Sequence, residues 1–425
     1  MAIKESPSSI TITTFLVPGD SLETYYYVYF FTNALPDLEI SPSINADFWR
    51  KALHAPSQVD GRIRHAIMAL GATHDKFVAQ SHDTSTTHHF ALSHYNQAIS
   101  ELLREETPSQ DSMSQLNITL TCCFLFVLIE CLHGNFEEAM RHLEAGSKLI
   151  LENASILTSP GKPSLNLAPM FHAISSQLSL FVDDKIFPDL AGLVTPMKKY
   201  PRPMGKLRDL DEAEDVMNSF DDVIISMDHY EEDDTECDRI WNDLQVNMQS
   251  WHEGFEALVQ ELERQPPGCG DSEYRRIINL KTQYKLWQLL FAEEDCGDCT
   301  DCDDREVSVT VSPSECNDML DEIEYLWGGS DTWRPQFGLK TDLITALFQL
   351  YVYCPEPTVR RRIITLLRSR HRREIAWDSV EMAQYLERHE SQRRAASVKN
   401  TWPNIGPSYK SDALLVFRPK LASSV

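Results

Sequence analysis

A long apolar run closed by a glycine constrains this chain more than any other stretch. From Gln115 the sequence reads Leu-Asn-Ile-Thr-Leu-Thr-Cys-Cys-Phe-Leu-Phe-Val-Leu-Ile-Glu-Cys-Leu132, then His-Gly-Asn, then Phe136-Glu-Glu-Ala-Met-Arg-His-Leu-Glu-Ala-Gly-Ser-Lys-Leu-Ile-Leu-Glu152. Two antiparallel helices fit this pattern. Residues 122–129 are apolar on every side, so the first helix must be enclosed by neighbours rather than laid on a surface. Gly134 suits the left-handed residue that ends a helix, and Asn135 with Glu138 reads as a capping box for the next. In the second helix Phe136, Ala139, Met140, Leu143, Ile150 and Leu151 share a face, with Glu137–Arg141 and Glu144–Lys148 pairs outside it. The hairpin is expected to be the core on which the rest packs.

The remaining composition narrows the class. At 425 residues the chain can bury a large core, and 42% hydrophobic with 24% charged residues is ordinary for a globular protein. The run at 122–129 is too short for a membrane span, and the N-terminus lacks the apolar stretch of a signal peptide. An intracellular protein is expected, its ten cysteines reduced; the sequons at Asn117 and Asn153 then carry no weight. A net charge of -25 opposes broad, non-specific nucleic-acid binding, which needs a positive surface to displace counterions.

Along the chain the periodicity is helical almost throughout. Residues 8–18 read as a short extended segment, and 21–35 as a helix whose aromatic run also suits a strand. Helices follow near 48–53, 62–77 and 90–103, then the hairpin, then 167–187. After a Pro- and Lys/Arg-containing connection, further helices are predicted over 241–264, 272–293, 319–327, 340–354, 358–369 and 379–394. The fold class is all-α, a multi-helix domain over 21–395 with an extension at 1–20, a sub-boundary near 190–210, an acidic insert at 293–306 and a tail at 396–425.

Few residues carry a chemical signal. Cys296, Cys299 and Cys302 have the spacing of zinc thiolates, with Cys316 or an aspartate as a fourth ligand. Their flanks are acidic and of low complexity, so an acidic loop is the preferred reading. His74-Asp75 and His82-Asp83 suggest a metal-dependent phosphohydrolase, and His88, His89 and His94 lie nearby. No spacing locates the further ligands such a site needs, so these read as core and surface histidines. The chain has no nucleophile elbow, phosphate loop, dinucleotide fingerprint or zinc-protease helix, and only 16 glycines to build one. No catalytic residue and no cofactor is assigned. One basic segment stands out, with Arg360, Arg361, Arg362, Arg368, Arg370, Arg372 and Arg373. It reads as a nuclear import patch or an acidic-partner surface; the plainer alternative is an amphipathic helix with Ile363, Ile364, Leu366 and Leu367 inward and arginines facing water.

A set of short motifs recurs in order. Phe48-Trp49 comes first, then Arg62-x-Arg-His-Ala-Ile-x-Ala-Leu-Gly-Ala-x-His74, then Ala91-Leu-x-x-Tyr95-Asn-x-Ala-Ile99. Glu130-x-x-x-Gly134, Ala139-x-x-His142-Leu-x-x-Gly146, Val359-Arg-Arg-Arg, Arg372-Arg-Glu374 and Trp377-Asp378 follow. Together they resemble the fungal-specific transcription factor domain, the regulatory region that follows a zinc binuclear cluster in many fungal activators. The family's DNA-binding module carries six cysteines among basic residues and places a helix in the major groove. This chain has no cysteine before Cys122, so it is expected to begin where the regulatory domain begins. The resemblance implies a nuclear, non-enzymatic transcriptional regulator with partners in the transcription machinery or among other regulators, and a small-molecule effector in a helical cavity. The missing cysteine module and the charge of -25 set aside sequence-specific DNA contact by this chain itself, and the shortness of the apolar run sets aside a membrane. The rival reading is a cytoplasmic helical scaffold.

Overall fold

The structure is a computed structural model that describes residues 21–38, 60–79, 85–104, 112–157, 167–179, 188, 190, 193, 206–227, 234–264, 270–294, 311–328, 334–339 and 342–396. Phe48-Trp49, His82-Asp83 and Cys296, Cys299 and Cys302 lie outside them.

The architecture is all-α with one small sheet. α1 (Ser21–Tyr29) widens into a π-helical turn (Phe30–Ala34) and tightens into a 3-10 turn (Leu35–Leu38), so the aromatic run is helix, not strand. α2 (Gly61–Ala79), α3 (Ser85–Leu102), α4 (Ser112–His133), α5 (Phe136–Glu152), α6 (Ala154–Leu157) and α7 (Ala168–Ser179) follow. α8 (Leu210–Met227), α9 (Asp234–Arg264) and α10 (Asp271–Glu294) form a second group, then α11 (Pro313–Gly328), α12 (Leu343–Tyr353), α13 (Pro357–Ser369) and α14 (Ser379–Ala396) a third. Strand β1 (Gln336–Gly338) pairs parallel with β2 (Arg372–Glu374), which turns back antiparallel onto β3 (Trp377–Asp378). Ile375 turns that corner at φ 52, a conformation β-branched residues rarely adopt. Its burial and its N–H bond to the Gly338 carbonyl (3.0 Å) hold it there.

The hairpin forms as α4 and α5, closed by Gly134 at φ 78. The Asn135 N–H donates to the Glu130 carbonyl (2.9 Å) and the Gly134 N–H to that of Cys131 (3.1 Å), a Schellman closure of α4. The capping box does not form. Asn135 instead donates its side-chain amide to the carboxylate of buried Glu130 at 2.8 Å, so its side chain does not cap α5. The buried face of α5 is Ala139, Leu143, Gly146, Ser147 and Ile150. Leu151, expected inside, is 40% exposed because one residue of helix rotates it about 100° from Ile150. The outer pairs Glu137–Arg141 and Glu144–Lys148 are present.

Among the described residues the buried apolar side chains fall into three large cores and one small cluster of Tyr26, Ala72 and Ala91, rather than one hairpin-centred core. The first joins α1, α2, α3, α4, α5 and α7 with Leu190, Phe337, Leu339, Ile375 and Ala376. The second lies among α8, α9 and α10 and includes Leu207. The third gathers α11 to α14 with Ile278 and Leu286 of α10. Residues 113–133 are, against the sequence reading, long and apolar enough to cross a membrane, because the apolar stretch extends well beyond 122–129. In the fold this helix is enclosed: Leu120, Cys122, Phe124, Leu125, Val127 and Leu128 are fully buried.

Candidate functional site

A cavity of about 870 Å³ opens where α1 and its π-helical turn meet the end of α2 and the approach to β1. Ser21, Thr24, Tyr25, Val28, Tyr29, Thr32 and Asn33 form one wall; Asp75, Val78, Ala79, Arg334 and Pro335 form the others. The wall's shape follows from the sequence. Phe30 and Ala34 are fully buried, and keeping both inward widens the helix so that the Leu35 N–H reaches back to the Phe30 carbonyl. Carbonyls loosened by the widening are taken up by side chains, Thr32 on Val28 (3.1 Å) and Asn33 on Tyr29 (3.4 Å). Such π-turns recur at functional sites. Gly71 lets α1 lie close against α2: a Cβ there would stand 2.5 Å from the Tyr26 carbonyl oxygen.

Behind the lining residues Tyr29 and Asp75, polar groups are linked. Buried His74 bonds Asp37 through Nε2 (3.1 Å) and faces the Tyr29 hydroxyl through Nδ1 (3.4 Å). With Nε2–H donating to the carboxylate, Nδ1 accepts. Burial raises the Asp75 carboxyl above the usual range, opposed by the Tyr29 hydroxyl, His74 and Arg334. The same burial, with Asp75 beside it, pushes the Tyr29 phenol far up, so it stays a donor.

The other motif residues tie helices together. His65 and His94 bond Nδ1 to Nδ1 at 2.8 Å in the interior, and burial lowers the pKa of His65. The Tyr95 hydroxyl meets His142 Nε2 at 3.0 Å, with Glu130 alongside, joining α3, α4 and α5. Gly146 leaves room for Phe171, whose ring would stand 2.2 Å from a Cβ. Among the described residues no group of three or more His, Cys, Asp or Glu is placed to hold a metal ion. Cys316, the suggested fourth zinc ligand, is fully buried with its thiol against Cys354.

The seven arginines are not a simple water-facing stripe. Arg360, the clearest departure, is buried: its Nε donates to the Tyr351 (3.2 Å) and Cys354 (2.8 Å) carbonyls. Arg361 is exposed and bonds back to Pro357. Arg362 bonds Asn317 (3.1 Å) and pairs with Asp321 and Glu324; Arg368 pairs with Glu387 (2.5 Å), and Arg370 donates to the Gly328 carbonyl (3.0 Å). Arg372 pairs with Glu374 at 2.6 Å and Asp342 at 3.3 Å. Glu374 in turn accepts the N–H groups of Asp342, Leu343 and Ile344 at the start of α12. Burial pushes its carboxyl up to about 8, Asp342 adds to that push, and Arg372 opposes it. Arg373 links two cores. It donates to the Leu132 carbonyl (2.9 Å) at the end of α4 and pairs with Asp378 at 2.9 Å. Its positive charge there also complements the negative end of the α4 dipole.

Sequence reasoning missed the cavity. It singled out Asp75 only for its neighbour His74, and nothing near Arg334 signals that β1 brings this residue to α1 and α2.

Comparison with known proteins places these features in context. Residues 25–269 match the family profile described as the fungal specific transcription factor domain. A curated relative is the aspercryptin biosynthesis cluster-specific transcription regulator of Emericella nidulans, 30% identical over 169 residues. That alignment covers 38% of this chain and 27% of the relative, so the match spans about a quarter of that protein's length. No solved structure matches.

Proposed function

The chain belongs to the fungal-specific transcription factor domain family, and from that premise we propose that it is a nuclear transcriptional regulator. It works through contacts with the transcription machinery or other regulators, tuned by a small-molecule effector, and not by catalysis. The family match over more than half of the chain is the observation that carries this reading. The fate of the chemistry-bearing residues supports it: His65, His94, Tyr95, Glu130 and His142 are spent on bonds between helices. Sequence-specific DNA contact by the chain itself is not part of the proposal, since its net charge is -25 and its densest run of arginines is largely engaged internally. Nuclear import through residues 360–373 is part of it, with exposed Arg361 and Arg368 the accessible contributors.

Fluorescently tagged protein in a fungal host tests this reading. Nuclear accumulation under at least one growth condition is expected. Exclusion from the nucleus under every condition would favour the cytoplasmic scaffold. Arg361→Gln with Arg368→Gln should reduce accumulation; unchanged entry would remove this segment from the import reading.

A further inference from the structure

The cavity's charges and rings define a ligand class. Asp75 lies on one wall and Arg334 on another, and each feels the other's charge. They do not close into an ion pair, and Arg334 makes no ion pair or hydrogen bond among the described residues. Between them lies a volume typical of a site for a metabolite-sized ligand. The Tyr25 ring is 51% exposed, an unusual waste of aromatic surface, and Val28, Val78, Ala79 and Pro335 continue the apolar lining.

We propose that this cavity binds a zwitterionic, amino-acid-derived metabolite, its ammonium on Asp75, its carboxylate on Arg334 and its apolar body on the rings of Tyr25 and Tyr29. A purely anionic ligand would meet Asp75, and a purely cationic one Arg334; a molecule carrying both charges satisfies both walls. Its position also gives it leverage. Arg334 and Pro335 run directly into β1, β1 pairs with β2, and Arg373 of β2 holds the end of α4. An occupant therefore bridges α1 and α2 of the first core to the sheet that joins the first and third cores. The inference rests on the effector-responsive reading for its biological purpose only. Its test uses purified protein, so it fails or stands separately from nuclear localisation.

The test is isothermal titration of the full chain with the dipeptide phenylalanyl-alanine, its N-acetyl form and its C-terminal amide. The free dipeptide should bind saturably. Acetylation should weaken binding about tenfold, because Asp75 is half-buried and a charged hydrogen bond is lost. Amidation should weaken it about threefold, since Arg334 is exposed and its pairing is screened. Asp75→Asn should abolish the discrimination against the acetyl form alone, and Arg334→Gln that against the amide alone. Tyr25→Ser, at an exposed ring, should weaken all three ligands alike without unfolding the chain. Absence of saturable heat at millimolar free dipeptide overturns the proposal, as does equal binding of the free and capped forms.

Discussion

Replacing Gly71 by alanine sets two well-known effects against each other. In an ordinary helix interior the change stabilises by about 0.5–1 kcal/mol, because glycine loses more backbone freedom on folding. Gly71 lies inside α2, so without neighbours it should follow that rule. Here the new Cβ would stand 2.5 Å from the Tyr26 carbonyl oxygen and 3.4 Å from Phe30 Cβ. Ordinary non-bonded contact is about 3.5 Å, so α1 must retreat by about 1 Å. The obstacle is backbone and cannot rotate away, which places the cost in the upper part of the overpacking range, about 2–3 kcal/mol. The net expectation is destabilisation by about 1–2 kcal/mol. Urea unfolding followed by circular dichroism gives the change if the slopes match, and hydrogen exchange should locate the lost protection in α1 and α2. Gly328→Ala, where a Cβ meets nothing within 4 Å, is the control. A higher midpoint for Gly71→Ala would refute the close approach, and with it the wall of the cavity.

Other perturbations test other parts of the fold. Leu143→Ala empties a fully buried position and should cost about 2–5 kcal/mol, whereas Glu144→Ala on the outer face should stay within about 0.5 kcal/mol; equal urea midpoints would reverse the face assignment of α5. His371 and Arg373 hold the Asp378 carboxyl down to about 2, against the desolvation that raises it. A depressed carboxyl stabilises the fold above its unfolded pKa, so about 2 kcal/mol present at pH 5 should be lost as pH falls from about 4 toward 2. In the same window the stability gap between the parent and Asp378→Asn should close; a gap independent of pH would contradict the pairing. Fluorescence anisotropy with duplex DNA at physiological salt should show no preferred site, and submicromolar preference for one sequence would overturn that expectation.

The helices were legible because burial and periodicity are local properties. The enclosed apolar run of α4, the glycine closure at Gly134 and the i,i+4 pairs of α5 could all be read from neighbouring residues. The division into three cores was not, because Leu120, Trp251 and Leu347 look equally fit for one interior. Nor was the sheet: its strands are two or three residues long, and β1 pairs with β2 across a gap in sequence that no periodicity spans. The pairing of the arginines was illegible for the same reason, since their acidic partners Asp321, Glu324, Asp342 and Glu387 come from other elements. The motif residues fared in between. Their order suggested a family, but only the fold explains them, Gly71 and Gly146 as close approaches and Tyr95, Glu130 and His142 as one partly buried network.

Regulation of transcription is the central claim, and a tethering assay tests it most directly. The chain is fused to an unrelated DNA-binding module and expressed in a fungal host that carries a reporter under that module's site. Reporter output is compared with that of the module alone at matched protein levels. The account predicts a reproducible several-fold change in output, in either direction, that is lost in a destabilised variant such as Leu143→Ala. Output indistinguishable from the bare module, from a folded fusion that reaches the nucleus, would contradict it.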